Sequence, residues 1–217
     1  MKKVLIGTPA HDGSVDVWYC NSLVYSMLAA AQHDIQLVPV YMAYDSLVQR
    51  ARNDLVRLAL EEDFAALVFI DSDQEWDPTW LVSLLAREED VVGLPVVKKS
   101  DMPAFNVKVI PGAFTPQENG LLEVAGVGTG FLKLSRNALQ TVWDASEEYT
   151  NEGRTCRMVF DVKVIDGELV SEDNVFCRKW AAAGGKVYID PSMTCNHIGV
   201  KKYMGSFQDF LAYVTGA

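Results

Sequence analysis

The run Leu67-Val68-Phe69-Ile70, followed at once by Asp71-Ser72-Asp73, constrains this chain more than any other stretch. Four consecutive apolar residues, two of them β-branched, read as a strand buried on both faces at the centre of a helix-covered sheet. Alternate residues of an extended segment point the same way, so Asp71 and Asp73 aim their carboxylates at one spot beyond the strand end. Open α/β sheets bind their ligands there. Two hard oxygen donors suit Mg²⁺ or Mn²⁺, with substrate phosphates completing the shell. The plainer reading is a polar turn in which Asp77 caps the helix that Pro78 opens. Asp77 does that alone, and the metal reading gives Asp71 and Asp73 a task.

The flanking pattern agrees with a central strand. Residues 3–7 read as a first buried strand that stops at Thr8-Pro9, followed by a polar loop holding His11, Asp12 and Gly13. Asp16 is placed to cap a helix whose apolar positions are Val17, Cys20, Val24, Met27, Leu28 and Ala31. A second strand spans 35–40. Asp45-Ser46 then open a helix with Leu47, Val48, Ala51, Leu55, Leu58 and Ala59 on one face, and with Arg50, Arg52, Asn53 and Arg57 across the others. With strands at 66–70 and 91–96 and a helix at 78–87, the first half alternates strand and helix, the signature of a largely parallel sheet. The second half is mixed. Short strands are expected at 105–110 and 121–124, then a turn bracketed by Gly126, Gly128 and Gly130 before a strand at 131–134. A helix at 135–142, strands at 157–160 and 162–165 and an Asp166-Gly167 hairpin turn precede a helix at 171–183 and a last strand at 186–189.

Composition limits what such a site can serve. The 217 residues suit one domain. No window reaches the roughly 18 consecutive apolar residues of a membrane span, so no membrane partner is expected. The opening Met1-Lys2-Lys3 is followed by an apolar run that Thr8-Pro9 breaks too early for a secretion signal. Cys20, Cys156, Cys177 and Cys195 lie far apart, as in a reduced cytoplasmic protein. The formal net charge of −10 argues against duplex DNA or an anionic membrane as partner, although Lys98-Lys99 and Lys201-Lys202 leave room for a local basic groove.

Five short motifs fall in a meaningful order: Ala51-Arg52-Asn53, Asp71-Ser72-Asp73, Gly128-Thr129-Gly130-Phe131-Leu132, Ser171-Glu172-Asp173 and Cys195-Asn196-His197. In this order they resemble the GT-A fold nucleotide-sugar glycosyltransferases, family 2-like. The Lys98-Lys99 to Phe105-Asn106 pattern resembles small virus- and phage-encoded members. The resemblance implies an α/β fold, a single Rossmann-like domain over 1–217 with a mixed, mostly parallel central sheet flanked by helices. Residues 1–97 would bind the nucleotide sugar, and 98–217 the acceptor and the catalytic groups. The implied reaction is metal-dependent, inverting, non-processive transfer of a hexosyl or pentosyl group. Its donor is a nucleotide sugar, a UDP-sugar foremost, and its acceptor a hydroxyl of a glycan, small molecule or hydroxylated nucleobase. Oligomeric state stays open.

The resemblance also distributes roles. Thr8, Pro9, Asp12, Arg52, Asn53, Asp71, Ser72, Gly128 and Gly130 fall at donor-binding positions, and Asp71, Asp73 and His197 at positions for Mn²⁺ or Mg²⁺. Asp73 is the first choice for direct ligation, and Asp71 is expected to contact the ribose, or the metal through water. Asp173 takes the place of the general base, with Glu172 as second choice. Each has a plainer counterpart: His197 a loop imidazole, Arg52 a solvated helix face, the glycines a bend, and Glu172 and Asp173 favourable acids at a helix start. Two departures matter. The family's early Pro is followed by an acid, whereas here the acid nearest Pro9 is Asp12. The Gln-x-x-Arg-Trp motif of polymerising members is absent, and Arg178-Lys179-Trp180 does not match it. A nucleotidyltransferase is the rival enzyme, but Gly7-Thr8-Pro9-Ala10-His11 is a poor triphosphate loop. A non-catalytic nucleotide or sugar-binding module would need no base.

Overall fold

The computed structural model of the chain describes residues 1–199, 201 and 203–216, so Lys202 of the Lys201-Lys202 pair lies outside the described residues. The first half forms β1 (Lys2–Ala10), α1 (Val17–Ala31), β2 (Ile35–Ala43), α2 (Val48–Glu61), β3 (Ala66–Ile70), β4 (Gln74–Glu75), α3 (Pro78–Ala86) and β5 (Val91–Gly93). The second half begins with β6 (Val107–Val109), β7 (Leu122–Val127), β8 (Phe131–Ser135) and α4 (Arg136–Asp144). Two hairpins follow, β9 (Glu148–Asn151) with β10 (Arg154–Arg157), and β11 (Lys163–Ile165) with β12 (Glu168–Val170). The chain closes with α5 (Glu172–Ala182), β13 (Val187–Ile189), β14 (Asn196–His197) and α6 (Phe207–Thr215).

Eight strands make the central sheet, in the order β2-β1-β3-β8-β5-β13-β7-β6. β8 and β7 run against the other six, which share one direction. This is the mixed, mostly parallel α/β sheet expected. β3 shows why its sequence is apolar throughout. Leu67 and Phe69 face a core shared with α2, α4 and α5, while Val68 and Ile70 face a second core shared with α1 and α3. All five of its residues are buried. Strands β8 and β13 of the second half lie beside β5 of the first. No helix among the described residues is long and apolar enough to cross a membrane.

Several local expectations are corrected. β1 continues through Thr8-Pro9 to Ala10, because past Gly7 it pairs only with β2, and proline is tolerated where a strand has one neighbour. α1 is capped by Asp16, whose carboxylate accepts from the Trp18 N–H at 2.8 Å. Its buried face, however, is Tyr19, Ser22, Leu23, Ser26 and Ala30, not the aliphatic set expected. The serines are buried because they satisfy Trp76: Ser22 Oγ donates to its carbonyl at 2.8 Å, and its indole N–H donates to Ser26 Oγ at 2.9 Å. Asp45 does not cap α2. It accepts from Leu47 N–H and pairs with Arg50 at 2.7 Å, and the helix starts at Val48. The strand expected at 157–160 is displaced to β10, because Asn53 holds the backbone of Phe160 through two hydrogen bonds at 2.7 and 3.0 Å.

Candidate active site

The carboxyl ends of β1 and β3 open into a cleft of about 380 Å³ lined by Pro9, His11, Arg52, Asp71, Asp73 and His197, among others. A larger cleft of about 490 Å³ lies between α1 and α3. It holds no comparable cluster of paired charges, so the smaller one is the candidate site. Helix α2 delivers Arg52 to the floor, where it is 4 % exposed. One arm of its guanidinium reaches Asp71 Oδ1 at 3.1 Å and the other pairs with Glu172 at the start of α5. Its Nε–H is buried without a hydrogen-bond partner. Asp71 is fixed further by its own N–H, which donates to the Gly130 carbonyl at 3.0 Å.

Asp73 sits across the cleft from this triad. Its Oδ2 meets the Lys99 ammonium at 2.5 Å and His197 Nε2 at 3.2 Å. His197 arrives on β14, which pairs antiparallel with β4, so the tail of the chain is clasped onto the acidic turn. Partial burial opposes ionisation of Asp73, but the hydrogen bonds from His197 and Lys99 outweigh it and hold its carboxyl at about 2. The imidazole is oriented from behind: Nδ1 lies 2.9 Å from the Val97 carbonyl. A carbonyl only accepts, so Nδ1 carries a proton, and Nε2 is left facing a carboxylate oxygen. This donor set, one carboxylate oxygen and one imidazole nitrogen oriented by a carbonyl, fits a small divalent ion. Asp71 does not complete it: its Oδ1 is turned to Arg52, and no group of three or more His, Cys, Asp or Glu that could hold a metal occurs among the described residues. The three expected ligands are therefore not gathered into one set: Asp73 and His197 meet, and Asp71 turns to Arg52.

The remaining expected residues divide. Pro9 and Ser72 line the cleft. Thr8 is buried, its hydroxyl 2.6 Å from that of Tyr19, and Asn53 is the clamp on Phe160, so both serve the scaffold. Asp12 is exposed and binds the Ser14 N–H in its own loop. His11, from the same loop, lines the cleft instead. A Cβ on Gly130 would lie 3.3 Å from Asp71 Oδ2, and one on Gly128 would sit 2.9 Å from the Asn106 side chain. Glu172 belongs to the Arg52 triad. Asp173 faces a neighbouring cavity of about 190 Å³ shared with Lys98, Asn106, Lys108 and Ser171. Its Oδ1 accepts from the Ser171 hydroxyl and from the Asn174 backbone and side-chain N–H groups, at 2.6 and 2.9 Å. Lys99 was legible only as half of a basic pair, and Lys201 pairs with Asp101 outside the cleft.

No protein-family model and no curated protein matches the chain. Solved structures do. A197 from STIV superposes with a TM-score of 0.57 at 20 % identity, over 92 % of this chain and 86 % of its own. The chain shares the fold of A197. Weaker likenesses include S. aureus TarS residues 1–349 in complex with UDP-GlcNAc, with a TM-score of 0.47 at 14 % identity over 96 % of this chain and 61 % of that one. A glycosyltransferase involved in glycosylation of the major capsid of PBCV-1 gives 0.36 at 11 % identity, over 66 % of each chain.

Proposed function

We propose that this protein is a glycosyltransferase that moves a sugar from a nucleotide-sugar donor to an acceptor hydroxyl. The observation that carries the reading is Asp73 and His197 Nε2 facing one another across 3.2 Å, with Lys99 beside them, at the carboxyl end of the central strand. Asp73 and His197 would hold Mn²⁺ or Mg²⁺, which when bound neutralises the departing diphosphate. Lys99, on a flexible stem and 37 % exposed, supplies a second positive charge that can move from Asp73 to a phosphate. Arg52 holds Asp71 and Glu172 in place, and Asp71 Oδ2, beside Gly130, is left to accept from a donor hydroxyl. Transfer with inversion needs a base on the acceptor hydroxyl. Asp173 suits this better than Glu172: its Oδ1 is anchored by three bonds from neutral donors, which aims the carboxylate, while Glu172 is tied to a guanidinium. The acceptor then occupies the cavity of Asp173.

Incubation with a panel of nucleotide sugars, with and without Mn²⁺, should release free nucleotide, and Asp173→Asn should bind donor normally yet turn over at least roughly a hundredfold more slowly. Calorimetry should show nucleotide binding that strengthens with Mn²⁺ in the wild type and not in Asp73→Ala. Binding without turnover on any acceptor would reduce the protein to a binding module. Equal nucleotide affinity with and without Mn²⁺ would remove the metal.

A further inference from the structure

Helix α1 runs for fifteen residues, and none of them is charged. The half of its surface away from the core carries Val17, Trp18, Val24, Tyr25, Met27 and Leu28, which are 65, 49, 55, 60, 37 and 61 % exposed. A surface helix ordinarily turns charged and polar residues outward. α1 does the reverse, burying Ser22 and Ser26 and presenting aliphatic and aromatic side chains to water. Contiguous apolar surface of this kind marks an interaction site. We propose that α1 is the contact of a homodimer, in which two copies of the chain pack α1 against α1, antiparallel about a two-fold axis.

Three observations select a second copy as the occupant. The first is charge. The chain carries a formal −10, so most self-contacts bring like charges together, whereas the uncharged α1 face does not repel its own image. The absence of Lys and Arg from α1 also removes the attraction of an interfacial helix for anionic lipid. The second is self-complementarity, because an isologous interface requires that residue i meet j while j meets i. An antiparallel axis level with the Ser22-Leu23 bond sets Val17 opposite Leu28 and Asn21 opposite Val24 along the middle of the face, with Trp18 and Tyr25 together on one edge and Cys20 and Met27 together on the other. Each edge then meets its own image, so Trp18 of one copy lies against Tyr25 of the other. The third is area. The six exposed side chains offer on the order of 600 Å² per copy, or ~1,200 Å² for the pair, the lower end for specific interfaces. The cleft of about 490 Å³ beside α1, walled by Trp76 and Trp80, gives the partner helix a groove to enter.

The test is the mass of the full chain in solution, by sedimentation velocity from about 1 to 100 µM, since an interface of this size can be as weak as micromolar. The expected result is twice the 24.0 kDa of one chain, with Val24→Glu and Leu28→Glu each returning the mass to 24.0 kDa. Both positions are more than half exposed, so the variants should keep the wild-type circular dichroism spectrum and show that any dissociation is not unfolding. A wild-type protein that stays at 24.0 kDa throughout overturns the proposal, and one that instead floats with phosphatidylcholine vesicles assigns the face to lipid. Variants that remain dimeric would place the contact elsewhere and overturn it equally.

Discussion

Replacing Arg52 by Met keeps the stem packed and removes the charge that two carboxylates depend on. The side chain of Arg52 is 5 % exposed, that of Glu172 15 % and that of Asp71 34 %. Removing one partner of a buried ion pair costs about 3–5 kcal/mol, because the survivor is left charged and dry. Asp71 can recruit water, so only the Glu172 arm counts in full. The orphaned Nε–H disappears with the guanidinium, which returns about 1 kcal/mol. The expected loss is about 3 kcal/mol, seen as a lower midpoint in urea unfolding at unchanged m-value. Adding Glu172→Gln should recover at least ~1.5 kcal/mol of it, because a neutral amide needs no cation. Arg52→Lys, which keeps charge but loses the two-armed fork, should retain stability in part and still weaken donor binding. A loss below about 1 kcal/mol in Arg52→Met, or strict additivity with Glu172→Gln, would refute the shared ion-pair triad.

Other perturbations follow from the same structure. Asp73 has its folded pKa depressed from 3.8 to about 2, so its contribution is complete above about pH 4 and lost as pH falls towards 2. It is a third exposed, so screening leaves about 1 kcal/mol, which Asp73→Asn should erase from the acid limb of a pH–stability curve. Lys133 is buried in β8, its Nζ donating to the Arg87 carbonyl at the end of α3 at 2.6 Å, and burial lowers its pKa from 10.5 to about 8. The unfolded chain holds the extra proton between those values, so stability should rise from pH 8 to 10.5 by up to roughly 3 kcal/mol in wild type relative to Lys133→Met; a flat difference would show the amine staying charged. Gly130→Ala places a methyl 3.3 Å from Asp71 Oδ2 and should lower donor affinity in calorimetry at a stability cost below about 1.5 kcal/mol; unchanged affinity would remove that turn from the donor pocket.

The α/β sheet was legible because β3 is apolar on both faces and the first half alternates strongly between strand and helix. Asp71 and Asp73 were legible as cleft residues because they follow a buried strand, but the chain turns at Ser72-Asp73, so the two carboxylates part, Asp71 to Arg52 and Asp73 to Lys99 and His197. What failed has a common cause: partners distant in sequence. Ser22 and Ser26 look like a wet helix face until Trp76 is seen to need them. Asn53 looks like a ligand-binding amide until Phe160 takes it. The rotation of α5 decides that Glu172 points to Arg52 and Asp173 to a separate cavity, and nothing in two adjacent acids states it. Lys99 lies in a loop without periodicity, so its meeting with Asp73 had no local signal.

The place of β5 in the sheet has a consequence for how the chain is made. Both neighbours of β5, namely β8 and β13, come from beyond residue 130, and β13 is complete only at Ile189. A growing chain therefore carries β5 without a partner while more than thirty further residues emerge, and such non-local pairing is slow and leaves edges exposed. Segment 1–97 therefore carries β5 without either of its sheet neighbours, however natural the division looks along the sequence. His197 reaches the turn of Asp73 from 124 residues further along the chain, so this side of the cleft is assembled only after β14 has been made.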